Sequence, residues 1–263
     1  MKKNKRTPIG YYVIPNLLTT ASMFTGFIGI LYAISGKFYH AAMAILISCI
    51  FDGLDGKVAR LTRASSDFGI QMDSLADLIA FGVTPAITVY LWKLHYFGRL
   101  GIAISFLFLA CGALRLARFN LMAMKAMKKD IFDPKFFMGL PIPAAACFLA
   151  TFILFSKWAA FDNLFSEKTL SCFLLISTFC LSLLMVSKVK YYSFKDLSLF
   201  KARPFTSSVL VVLLFVLVGS EPYLITFLFF LFYTLYGPIY TYLYLPFHKD
   251  RPLLRGLAKR KSS

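Results

Sequence analysis

Histidine, cysteine and charge are scarce in this chain of 263 residues. Its three histidines, His40, His95 and His248, stand apart near the ends of different apolar stretches. That scatter excludes a histidine-based metal site and a histidine-activated nucleophile. The five cysteines, Cys49, Cys111, Cys147, Cys172 and Cys180, fall inside apolar runs without the paired spacing of a metal site, and read as buried thiols. Charged residues make up only 16% of the chain, and no soluble domain or low-complexity segment interrupts it.

What is present is apolar. Hydrophobic residues are 59% and the mean hydropathy is +0.70, which places the chain among membrane proteins. The pattern predicts an all-α polytopic membrane protein of about eight spans, at 15–36, 39–60, 70–92, 99–121, 140–159, 168–187, 206–220 and 222–245. Each reaches or approaches the ~20 residues that cross a bilayer core. The seventh is the shortest, and it meets the eighth at a turn, Gly219-Ser220-Glu221-Pro222, with proline placed to start a helix. The third carries Gly82 and Pro85 in mid-span, where a kink is expected.

Lysine and arginine set the orientation. Twenty-four of the 29 fall at the two termini and in alternate loops, and the other five, Lys37, Lys93, Arg99, Lys157 and Lys168, fall on the opposite side. Both termini are therefore expected in the cytoplasm, in a bacterial-type inner membrane. The net charge of +17 could suggest nucleic acid, but the charges sit at helix ends, where they orient the chain and attract anionic headgroups, so no nucleic-acid partner is expected. The basic start and following apolar run read as an uncleaved first helix rather than a signal peptide. The organisation expected is a cytoplasmic segment 1–14, a six-helix core 15–187, a cytoplasmic loop with two more helices 188–245, and a basic tail 246–263. Two polar connections, about 122–137 and 187–204, lie on the cytoplasmic side. Either they are solvated loops that fix topology or they also help capture an anionic ligand.

Against that background, five of only twelve acidic residues lie between positions 52 and 77: Asp52, Asp55, Asp67, Asp73 and Asp77. Carboxylates at membrane depth are costly and usually functional. Asp52 and Asp55 share one helix face and Asp73 and Asp77 another, because positions three or four apart are neighbours. A short connection makes the two helices antiparallel, so both pairs can converge in the cytoplasmic half. Close carboxylates oppose one another's ionisation unless a cation joins them. Oxygen-only donors favour a hard ion such as Mg²⁺, Mn²⁺ or Ca²⁺, and two such ions would bridge phosphate oxygens in an in-line displacement. Gly56 and Gly69 remove side chains beside the carboxylates, Ala59 keeps that face narrow, and Arg60 offers a fork suited to phosphate. The competing reading is interhelical salt bridges with Lys57, Arg60 and Arg63.

The spacing Asp-x2-Asp-Gly-x2-Ala-Arg-x8-Gly-x3-Asp-x3-Asp, met at every fixed position from Asp52 to Asp77, resembles the signature of the CDP-alcohol phosphotransferases. The resemblance implies an integral membrane enzyme, commonly a homodimer, that needs Mg²⁺ or Mn²⁺ and transfers a group from a CDP-linked donor to an alcohol with loss of CMP. It also implies metal ligation by Asp52, Asp55, Asp73 and Asp77, with Asp77 as the residue that deprotonates the acceptor. Gly56, Ala59, Arg60 and Gly69 would then border the nucleotide and diphosphate.

Further stretches resemble the branch that makes phosphatidylserine: Ile14 to Thr19, Asp73 to Asp77 running into Phe81 to Pro85, Leu114 to Asn120, and Phe137 to Ala146. This implies CDP-diacylglycerol and L-serine as substrates. Arg115 and Arg118 would hold the serine carboxylate with Asn120 beside it, unless the arginines merely snorkel to the interface. Glycerol phosphate or inositol phosphate are alternative acceptors, though each would want more cations nearby. A cation transporter is the remote alternative. It would need polar residues continuing to the far face, whereas the outer halves are apolar.

Overall fold

The computed structural model describes residues 10–62, 67–129, 136–159, 166–192 and 219–244. Helix α1 (Gly10–Ile34) turns at Gly36, whose φ of +73° suits glycine, into α2 (Phe38–Thr62). Helix α3 (Asp67–Asp77) runs through a π-helical stretch (Leu78–Val83) into α4 (Thr84–Trp92). A 3₁₀ turn (Leu94–Phe97) leads to α5 (Arg99–Lys129), then β1 (Phe136–Met138), α6 (Ile142–Trp158), α7 (Glu167–Val186) and β2 (Lys190–Tyr192). Helix α8 (Pro222–Ile239) ends in a second π-helical turn, Tyr240–Tyr244.

Five stretches are long and apolar enough to cross a membrane: Ile14–Ile34, Phe68–Trp92, Arg99–Met122, Glu167–Val186 and Pro222–Tyr242. The protein is a helical membrane protein. Helices α2 and α6 coincide with two further expected spans, α6 being apolar but only 17 residues long. The expected span 206–220 lies outside the described residues except at Gly219 and Ser220.

The bundle is built around α6. Its stretch from Ala145 to Leu154 is buried throughout, and it packs on α2, α4, α7 and α8. Pro141 and Pro143 start it, where a proline's missing N–H costs nothing. Helix α1 lies against α2, α3 and α4 together. Small residues allow this: a Cβ on Gly26 would come within 2.7 Å of Ala80 Cα, and one on Gly29 within 2.8 Å of Thr84 Cγ2. Between α1 and α2, Ser22 Oγ donates to Ser48 O at 3.1 Å and the Thr25 and Ser48 hydroxyls pair at 2.7 Å. Such bonds hold helices together where burial of apolar surface cannot.

The kink expected at Gly82 and Pro85 takes the form of the π-helical stretch. Thr84 N–H bonds the carbonyl of Ile79, five residues back, and its hydroxyl also donates to Ile79 O (2.8 Å) and to Gly26 O (3.0 Å). The wider register leaves Pro85 in the first turn of α4, where it is tolerated.

Two features depart from the expected all-α plan. Helix α5 runs on to Lys129, about two turns past its span, through residues of high helix propensity such as Met122, Ala123 and Lys125. The two connections read as loops also contribute β1 and β2, which pair antiparallel with Phe137 opposite Tyr191. Gly139, at φ +80°, lets the chain leave β1 for α6 against the end of α7.

Candidate active site

Helical periodicity places Asp52 with Asp55 on α2, and Asp73 with Asp77 at the end of α3. The two helices do not pack along their length. Helix α1 packs on both, and the space left between them is where the carboxylates meet. One carboxylate oxygen from each of Asp52, Asp55 and Asp73 lies within 4.8 Å of the others. Oxygens that close fit around a single hard cation, which binds them at about 2.0–2.6 Å. The Asp77 carboxyl lies within hydrogen-bonding reach of Asp52. The chain enters the π-helical stretch immediately after Asp77, a register break of the kind frequent at functional sites.

Asp55, only 5% exposed, is the most buried of the four. Thr19 on α1 donates to its Oδ2 at 2.8 Å. Thr19 is the supporting residue that carboxylate spacing does not reveal, since it sits 36 positions away; its signal in the sequence is its place at the end of the Ile14–Thr19 stretch, which carries a resemblance but no role for the threonine. Gly56 faces open space, for a Cβ placed there meets nothing within 4 Å among the described residues. Gly69 lies in the first turn of α3, on the approach to Asp73. Ala59 and Arg60 lie in the last turns of α2, with side chains outside the described residues.

The three residues expected at the acceptor separate into different surroundings. Asn120 Nδ2 donates to the Ser74 hydroxyl at 2.8 Å, which ties α5 to α3 at the residue after Asp73. Arg118 turns away: its guanidinium donates to Val186 O at 3.0 Å and Met138 O at 3.2 Å, tying α5 to the end of α7 and to β1. Arg115 is 8% exposed, and its Nε has no hydrogen-bond partner among the described residues.

The CDP-diacylglycerol–serine O-phosphatidyltransferase of Helicobacter pylori is 44% identical over 184 residues, 70% of this chain and 73% of that protein. The archaetidylserine synthase of Methanothermobacter thermautotrophicus is 35% identical over 190 residues, 72% of this chain and 73% of its own length. A CDP-diacylglycerol–serine O-phosphatidyltransferase of Methanocaldococcus jannaschii is 35% identical over 178 residues, 68% of this chain and 73% of its own. The CDP-alcohol phosphatidyltransferase family model matches residues 12–186, which hold all four converging aspartates, and the chain belongs to that family.

Proposed function

We propose that this protein transfers a phosphatidyl group from CDP-diacylglycerol to the hydroxyl of L-serine, giving phosphatidylserine and CMP. The observation that carries the proposal is the meeting of Asp52, Asp55 and Asp73 oxygens in the gap between α2 and α3, in a family whose members generally depend on divalent metal. The names of the relatives supply serine as the acceptor.

In this reading Asp52, Asp55 and Asp73, with Asp77 beside them, hold Mg²⁺ or Mn²⁺, one ion or two. The bound metal supplies charge neutralisation for the diphosphate. Gly56 and Gly69 leave room for the diphosphate, and Ala59 and Arg60 border the nucleotide. Asp77 takes the proton of the serine hydroxyl. The hydroxyl oxygen forms the new P–O bond at the lipid-side phosphorus, and the P–O bond to CMP breaks with its electron pair on CMP. No covalent enzyme intermediate is required.

Arg115 meets the serine carboxylate. A buried guanidinium lacking a hydrogen-bonded anion is costly, and the acceptor would provide one. Asn120, bonded to Ser74, lines the same side. The reading also places the catalytic face and both termini on the cytoplasmic side of an inner membrane, in a homodimer. Residues 15–187 form the catalytic core, 188–245 an addition to it, and 1–14 and 246–263 its cytoplasmic ends.

The test is release of CMP by purified protein given CDP-diacylglycerol, Mn²⁺ or Mg²⁺, and labelled acceptors. Serine should be incorporated, and Asp73→Asn should abolish turnover while leaving the protein folded. Incorporation of glycerol phosphate or inositol phosphate in place of serine would move the acceptor assignment. Full activity of Asp73→Asn would remove the metal reading.

A further inference from the structure

Helix α3 carries Asp73 and Asp77, yet among the described residues little packing fixes how it is turned about its own axis. Helix α1 packs on it, whereas α2 and α5 do not pack along it. Phe68 and Leu75 lie on roughly the opposite side of the helix from Asp73, at about 100° per residue, and both are exposed. Beyond Asp77 the π-helical stretch breaks the register that would otherwise carry the buried start of α4 back into α3.

A polar tie adds what packing does not supply. Asn120 Nδ2 on α5 donates to the Ser74 hydroxyl at 2.8 Å, and that hydroxyl lies 3.2 Å from Asn120 Oδ1, to which it donates in turn. Asn120 stands on a fixed support: α5 packs along α7, and Arg118, two residues earlier, donates to Val186 O and Met138 O. Ser74 lies between the two aspartates, about 100° around the helix from Asp73 and about 60° from Asp77. A bond at that bearing opposes roll of α3. The magnitudes make this matter. A carboxylate about 5–6 Å from the helix axis moves by about 1 Å in a roll of about 10°, whereas metal–ligand distances hold to about 0.2 Å.

We infer that Asn120 is a positioning residue that acts through Ser74, rather than a ligand of the acceptor. The bond between them sets the turn of α3, so that the Asp73 and Asp77 carboxylates face those of Asp52 and Asp55. Helix α5 thereby holds half of the carboxylate set in place without contributing a ligand to it. This rests on the proposal that these carboxylates hold a divalent metal.

The experiment compares wild type, Ser74→Ala, Asn120→Ala and the double variant. Ser74→Ala removes one oxygen and leaves a better helix former, so it retains the fold. Mn²⁺ binding to the purified proteins in detergent is followed without substrate, by loss of the free ion's paramagnetic resonance signal. Metal affinity is then read apart from turnover. Serine kinetics at saturating Mn²⁺ and unfolding temperatures are measured alongside. Each single variant should weaken Mn²⁺ binding about tenfold, as when a group that orients a ligand is lost. The double variant should bind no more weakly than either single one, because both changes remove the same bond. The KM for serine should stay within about twofold while kcat falls by up to about 100-fold, as misplaced reacting groups predict.

A higher KM for serine in Asn120→Ala but not in Ser74→Ala would return Asn120 to the acceptor and overturn the inference. So would Mn²⁺ affinities that match wild type in both single variants, or losses that multiply in the double variant. Losses that track a lower unfolding temperature, with metal and serine affected alike, would show a general structural role and overturn it too. Wild-type protein that binds no Mn²⁺ would instead sink the metal reading, and this inference with it.

Discussion

The Thr19 hydroxyl on α1 donates a 2.8 Å hydrogen bond to Asp55 Oδ2 on α2, and it also lies 3.1 Å from its own helix at Pro15 O. One side chain thus couples a buried carboxylate to a neighbouring helix. Groups that orient a ligand matter nearly as much as the ligand itself, and their loss typically costs 10–100-fold in metal affinity or activity. Thr19→Val should raise the Mn²⁺ concentration giving half-maximal CMP release by about 10–100-fold. Thr19→Ser should stay near wild type. A metal titration with identical midpoints for Thr19→Val and wild type would show that Asp55 needs no such support.

Gly56 predicts a split between stability and activity. A Cβ there meets nothing within 4 Å among the described residues, and replacing a helical glycine gains up to about 1 kcal/mol in propensity. Gly56→Leu should therefore leave the unfolding temperature unchanged or raised. Activity should nonetheless collapse, because the added side chain fills the approach to the carboxylates. Wild-type kinetics in Gly56→Leu would mean that the substrate approaches elsewhere.

Gly26 predicts the opposite pairing. A Cβ there would lie 2.7 Å from Ala80 Cα, a backbone atom that cannot rotate away. Gly26→Val should destabilise the protein by about 1–3 kcal/mol, the usual penalty for overpacking. It should also reduce CMP release, since the π-helical stretch it presses on begins immediately after Asp77. Thermal unfolding in detergent measured beside activity checks both effects.

Arg118 and Arg115 should behave differently despite their shared helix. Arg118→Ala removes donors to Val186 O and Met138 O and should cost about 1–3 kcal/mol of stability. Its KM for serine should move little. Arg115→Ala should chiefly raise that KM, since it removes the buried cation proposed to meet the carboxylate. A large KM effect in Arg118→Ala with unchanged stability would return Arg118 to the acceptor.

Much of this was legible from residue order alone. The apolar runs gave the limits of the described spans to within a few residues, apart from the extension of α5 past its span. The placement of Asp52 with Asp55, and of Asp73 with Asp77, needs only the helical repeat. The proline and glycine of the third span announced a break, but its π-helical form depends on a hydroxyl at Thr84 finding carbonyls on two helices.

Local periodicity therefore determined which side chains share a face, because 3.6 residues per turn applies wherever a helix forms. Only the tertiary packing decided that α1 lies against both α2 and α3, that Thr19 reaches Asp55, and that Arg118 anchors backbone carbonyls while the Nε of Arg115 has no partner among the described residues. The bonds of Thr19 and Arg118 join positions from 20 to 68 residues apart. Their meeting depends on how small residues let helices approach and on where orphaned polar groups find partners, and neither is written in the spacing of a single segment.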